Sequence, residues 1–173
     1  MIVFNLNGKE VHVECDPMDR LSNILRYQLG LTGTKEGCNA GDCGSCTIIL
    51  DENLCCSCLI PMGQIEGSYV TTIEGLGDGT VLSTMQQAFL DYGASQCGIC
   101  IPGMVVSAEW LYRNTVDPKK KDIEDTLGGV LCRCTGYKKI IKCIADVTSQ
   151  KYKRIVATNS PKKVIGSRIN RLD

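Results

Sequence analysis

Eight of the twelve cysteines in this chain fall into two groups of four, and thiolates so spaced bind metal. Cys38, Cys43 and Cys46 form C-x4-C-x2-C, and Cys58 follows after eleven further residues. Cys97 and Cys100 form C-x2-C, and Cys132 and Cys134 form C-x-C. The first spacing is the plant-type pattern with which thiolates hold a [2Fe–2S] cluster. A chain with two such sets is expected to carry electrons. A disulfide scaffold fits poorly, because two residues between cysteines close too short a loop for a relaxed bridge. Zinc is the stronger rival, since four thiolates suit it equally well. Paired C-x2-C knuckles would favour zinc, whereas the small-residue loop around Cys38–Cys46 favours iron and sulfide.

Glycines in that loop have a chemical reading too. Gly37, Gly41 and Gly44 are expected to take positive φ and to turn backbone N–H groups toward the cluster sulfurs. Such hydrogen bonds favour the reduced state. In the second set, Cys97 and Cys100 are read as lying at the start of one helix. Cys132 and Cys134 are read as lying on the loop before another, so that helix N-termini face a negative cluster.

The bulk properties exclude other classes. At 173 residues the chain suffices for one ordinary domain or two small ones. Hydrophobic residues make up 43%, enough for a packed core. Lys plus Arg equals Asp plus Glu at 19 each, so no basic excess points to nucleic acid. No apolar run reaches membrane-spanning length. The N-terminal residues lack a basic stretch followed by an apolar one, so a cytoplasmic setting is expected.

Elements able to position the thiols can be read from the pattern. Ile2–Leu6 and Val11–Glu14 flank Asn7-Gly8, a strong hairpin signal. A helix is expected over Leu21–Leu29, capped by Asp19 or Ser22 and broken by Gly30 and Gly33. Strands are expected at Thr47–Leu50, Leu54–Ile60 and Tyr69–Ile73, completing a sheet with one helix across it, a β-grasp. Gly75-Leu76-Gly77-Asp78-Gly79 reads as the joint. Beyond it helices are expected from Val81 to Gly93, over Met104–Tyr112, over Asp122–Leu127 and over Lys138–Gln150. The expected division is 1–75, a [2Fe–2S] β-grasp domain; 76–150, a helical [2Fe–2S] domain; and 151–173, a basic tail, partner-docked or mobile.

Four cysteines remain. Cys143 fits a helical core position, and Cys15 a half-buried strand end. Cys55 and Cys56 crowd Cys58. In a continuous strand Cys56 and Cys58 share a face, so Cys56 competes for the fourth ligand position. His12, the only histidine, reads as a strand-surface residue, which argues against a Rieske-type ligand set.

Two strings go further. Lys35-Glu36-Gly37-Cys38, Gly41-Asp42-Cys43-Gly44-Ser45-Cys46-Thr47 and Ser57-Cys58-Leu59 resemble the N-terminal cluster domain of the molybdenum hydroxylases. Gln96-Cys97-Gly98-Ile99-Cys100-Ile101-Pro102-Gly103-Met104 and Leu131-Cys132-Arg133-Cys134-Thr135-Gly136-Tyr137 resemble the second domain of the same family. The group includes xanthine dehydrogenase, aldehyde oxidoreductase, carbon monoxide dehydrogenase and nicotinate dehydrogenase. The resemblance covers roughly residues 1–150 and is to the small iron–sulfur subunit. It implies an α+β chain, a plant-ferredoxin-like β-grasp domain followed by a four-helix bundle, and favours Cys58 over Cys56. It implies a large partner subunit with a molybdenum–pterin cofactor, where substrate is oxidised, and a medium FAD-binding subunit. Electrons would pass from molybdenum to the cluster of Cys97, Cys100, Cys132 and Cys134, then to that of Cys38, Cys43, Cys46 and Cys58, then to flavin. Gln96 and Cys134 would lie beside the pterin. No catalytic acid or base is expected in this chain. Ile101 departs from the family's common threonine, and the Lys163–Asp173 tail resembles the opening of the molybdenum subunit. A stand-alone ferredoxin-like carrier is the alternative.

Overall fold

The computed structural model describes residues 1–77 and 80–152. Strands β1 (Ile2–Leu6) and β2 (Lys9–Val13) pair antiparallel. Asn7 and Gly8 between them both have positive φ, as a two-residue hairpin turn demands. Alternate residues Ile2, Phe4 and Leu6 are buried, the period-two signature of a half-covered strand. Strands β3 (Thr47–Leu50), β4 (Asn53–Cys56) and β5 (Tyr69–Thr71) complete a five-stranded sheet of order β2-β1-β5-β3-β4. Only β1 and β5 run parallel. The helix across the sheet starts as α1 (Leu21–Asn23) and continues as a π-helical turn, Ile24–Gln28. It buries Leu21, Ile24 and Leu25 against Phe4, Ile48, Met62 and Val70.

Two expectations in this half need correction. Neither Asp19 nor Ser22 caps the helix. Arg20 occupies the cap position without a side-chain bond, and Ser22 is fully buried inside the first turn. The strand expected over Leu54–Ile60 stops at Cys56, and Ser57–Leu59 form a 3-10 turn. Ser57 is the last residue held to β3, its N–H and its hydroxyl both donating to the Cys46 carbonyl at 3.2 and 2.8 Å, and beyond it the chain turns with the Ile60 N–H bonded back to the Ser57 carbonyl. Strand alternation therefore does not relate Cys56 to Cys58.

Among the described residues the second half holds the helices α2 (Thr84–Asp91), α3 (Ile101–Asn114), α4 (Lys120–Leu127) and α5 (Lys138–Thr148). A capping box starts α2, with Ser83 and Gln86 satisfying each other's backbone N–H groups. Helix α3 begins three residues before the expected Met104. Pro102 sits in the first turn, where its missing N–H costs nothing. Met85, Phe89, Met104, Val106, Ile123, Ile140 and Ile144 fill the bundle core. Cys143 lies there fully buried, and Tyr152 is buried against it with its hydroxyl donating to Asp91 at 2.6 Å. The tail expectation for residues 153–173 lies outside the described residues.

Both faces of β3 are covered, which explains its unbroken Thr-Ile-Ile-Leu run. Ile48 enters the sheet core and Ile49 the helical core. Trp110 of α3 donates its indole N–H to the Glu52 carbonyl beside it at 2.6 Å. His12 is exposed against Glu10, and Cys15 is half-buried beyond β2. Among the described residues no helix is long and apolar enough to cross a membrane.

Candidate metal centres

The segment from Thr32 to Cys46 is held from outside by arginines at the β-grasp helix. Arg20 Nη1 donates to the Asn39 carbonyl at 3.0 Å. Arg26 Nη1 donates to the carbonyls of Thr32 and Thr34 at 3.0 and 2.8 Å. These arginines are positioning residues that the spacing of cysteines does not reveal; Arg26 lies on the expected helix and Arg20 immediately ahead of it.

Inside the loop, three backbone N–H groups turn toward one sulfur. Ala40, Asp42 and Cys43 approach Cys38 Sγ at 3.4, 3.3 and 3.4 Å. They draw the Cys38 thiol down to about 7, led by the Ala40 N–H. Gly41 and Gly44 have positive φ as expected, while Gly37 does not. Gly37 serves through its bare Cα, since a Cβ there would sit 2.7 Å from Cys43 Sγ.

The thiols meet in pairs. Cys38 lies beside Cys43, and Cys46 beside Cys58, all as free thiols. In the second group Cys97 Sγ and Cys134 Sγ are 3.6 Å apart, and Cys100 lies beside Cys132. Thiols grouped two and two suit a two-iron unit, with two thiolates on each iron. The residues present therefore fit [2Fe–2S]. Burial pushes Cys58 up to about 11 and Cys100 up to about 12, with the neighbouring Cys46 and Cys132 adding to it. Buried thiols of that kind ionise readily only where a cation offsets the charge.

The second group differs from expectation in one respect. Cys100 is the cap residue of α3, but Cys97 lies ahead of the helix in an irregular segment. Cys132 and Cys134 lie on the loop before α5, as expected. Cys132 is oriented by two residues not singled out for that role. Thr135 Oγ1 is 3.1 Å from its sulfur, and Tyr137 Oη accepts its N–H at 2.8 Å while donating to the Val130 carbonyl at 3.1 Å. Burial raises the Cys132 thiol, but Thr135 outweighs this and brings it to about 7. Tyr137 takes a left-handed φ of 61° to point its ring back over the loop. That strain at a non-glycine residue marks a position held by its surroundings.

Exposure orders the second group. Cys97 and Cys134 are exposed beside the exposed Gln96, while Cys100 is buried and Cys132 half-buried. The inner pair leads to the first group. The Leu131 N–H donates to the Cys43 carbonyl at 2.9 Å, so one hydrogen bond joins the neighbour of Cys132 to Cys43 itself. The approach is close because it is made by glycines. A Cβ on Gly44 would lie 1.9 Å from the Gly129 oxygen, and one on Gly103 would lie 2.5 Å from the Gly44 oxygen.

Comparison with known proteins agrees with this geometry. Residues 4–64 match the 2Fe-2S iron-sulfur cluster binding domain, and residues 72–145 match the [2Fe-2S] binding domain. The chain is 42% identical over 139 residues to the nicotinate dehydrogenase small FeS subunit of Eubacterium barkeri, covering 80% of this chain and 88% of that one. It is 44% identical over 137 residues to a probable xanthine dehydrogenase subunit of Bacillus subtilis, covering 79% of each. Quinoline 2-oxidoreductase from Pseudomonas putida superimposes with a TM-score of 0.82 at 39% identity, over 88% of this chain and 95% of that one. The chain belongs to the iron–sulfur subunits of the molybdenum hydroxylase family.

Proposed function

We propose that Cys38, Cys43, Cys46 and Cys58 hold one [2Fe–2S] cluster and that Cys97, Cys100, Cys132 and Cys134 hold the other. Each cluster, when bound, takes up and releases one electron. The chain is the electron-transfer subunit of an oxidoreductase, and substrate is oxidised on a larger, molybdenum-binding partner. The exposed edge formed by Gln96, Cys97 and Cys134 is the entry face, turned to the partner's molybdenum–pterin centre. The exposed Cys38 marks the exit, toward a flavin-binding subunit. Between them the protein supplies a short, fixed path, from Cys132 through the Leu131 N–H to the Cys43 carbonyl. Oxidation of a substrate C–H releases two electrons, and two one-electron sites in series let them leave singly. We assign residues 1–75 to the first cluster domain and 76–150 to the second, and place the assembly in the cytoplasm.

The observation that carries this reading is the two-by-two meeting of the eight thiols, with one hydrogen bond linking the groups. Metal analysis and electron paramagnetic resonance of the reduced native complex test it. About four irons per chain, in two distinguishable spin systems, are expected. Iron-free protein from anaerobic preparation overturns the reading. A complex lacking molybdenum overturns the assignment of the partner alone.

A further inference from the structure

The first centre has five thiols for four ligand positions. Cys56, the last residue of β4, is half-buried, and its thiol donates to the Gly41 carbonyl at 3.8 Å, inside the loop that runs from Cys38 to Cys43. Its sulfur also lies within hydrogen-bonding range of Cys46, the residue that pairs with Cys58. The charges of Cys58, Cys43 and Cys38 all reach it. Thus Cys56 touches the cluster loop at Gly41 and lies on the side of β4 that faces Cys46. Cys55 is oriented otherwise. It stands opposite Ile48 in the sheet register, and Asp51 is the charge it feels.

The backbone explains how two cysteines so close in sequence can serve one position. Ser57 is clamped to the Cys46 carbonyl by both its N–H and its hydroxyl. Cys56 precedes the clamp and Cys58 follows it, so both thiols are tethered a residue away from the same fixed point. Cys58 is 2% exposed and occupies the inner place. Cys56 is restrained by a long thiol–carbonyl contact, a weak bond that a small side-chain rotation breaks.

We propose that Cys56 is a reserve ligand of the first [2Fe–2S] cluster, able to replace Cys58 on the iron shared with Cys46. The inference rests on the ligand assignment above. The exchange involves no redox step. The Cys58 thiolate leaves the iron and takes up a proton, while the Cys56 thiol gives its proton to solvent and binds as thiolate in its place, so the ligand count and cluster charge are unchanged. The same site would then hold its cluster by either of two four-thiolate sets.

The test uses the native complex and reads spectra and iron, not turnover. Wild-type protein with about four irons per chain establishes the ligand reading first. Cys58→Ala should then keep both spin systems and its iron content, with the g-values of the first centre shifted. Cys56→Ala alone should leave the wild-type spectrum. The double variant Cys56→Ala/Cys58→Ala should lose about half the iron and the first signal only, whereas Cys55→Ala/Cys58→Ala should behave as Cys58→Ala. Loss of the first signal in Cys58→Ala, with the second intact, overturns the proposal. Should Cys58→Ala lose both signals, Cys58→Ser decides. If adding Cys56→Ala changes its first-centre spectrum, Cys56 was the ligand. If it does not, the serine oxygen held the iron and the proposal fails.

Discussion

Gly44 offers a sharp test of the contact between the two centres. At a φ of 67° its backbone favours glycine, and an alanine Cβ would stand 1.9 Å from the Gly129 oxygen and 2.9 Å from Val130 Cα. An ordinary contact at that oxygen requires the two loops to part by about 1.5 Å, and packed loops yield only at a cost of about 1–3 kcal/mol. The parting also breaks the Leu131–Cys43 hydrogen bond, leaving a donor unpaired at about 1 kcal/mol or more. Left-handed strain adds about 1 kcal/mol. Gly44→Ala should therefore cost about 4 kcal/mol, or about 12 °C in melting temperature for a chain of this size. Gly67 isolates the strain, because its φ is 73° and a Cβ there meets nothing within 4 Å. Gly67→Ala should cost about 1 kcal/mol, about 3 °C. Thermal unfolding of the cluster-loaded variants compares them, and the rate of electron equilibration between the two spin systems should fall only in Gly44→Ala. Equal melting shifts for both variants would refute the argument that the loops are in tight contact.

Other outcomes follow from the same geometry. Cys43→Ser should remove the first spin signal and spare the second; loss of neither contradicts the ligand assignment. Tyr137→Phe strips the Cys132 N–H of its acceptor and should cost about 1 kcal/mol while perturbing only the second spin signal. Burial raises the Asp146 carboxyl, but the bonds from Lys142 and Tyr92 dominate and hold it below the usual range. A depressed carboxylate stabilises above its unfolded pKa, about 3.9, and loses that contribution as pH falls through the folded value. Wild-type stability should thus drop below about pH 4 more steeply than that of Asp146→Asn, as denaturant titration across pH would show.

The ligand set was legible because cluster loops are local. C-x4-C-x2-C and the paired short motifs state their chemistry in a few residues, whatever fold surrounds them. The hairpin was legible for the same reason, since Asn7-Gly8 specifies its own turn. The pairing of thiols was not, because it depends on Ser57 reaching back to Cys46 and on Tyr137 reaching back to Cys132, contacts that no periodicity encodes. The start of α3 was misplaced because Pro102-Gly103 has the look of a break. Proline is at home in a first helical turn, and Gly103 is small because the Gly44 carbonyl needs the space. The arginines that hold the first loop act through backbone carbonyls, which carry no sequence signal at all.

Strand β3 has a consequence for any attempt to dissect the protein. Its Ile49 points away from the sheet to which it is hydrogen-bonded and into the bundle, together with half-buried Leu54 and Ile73. Severing the polypeptide at its glycine-rich joint would leave the N-terminal piece with a greasy flank and no cover. Such a fragment would be sticky even with its iron in place, and a soluble miniature carrier would first need that flank redesigned with polar side chains.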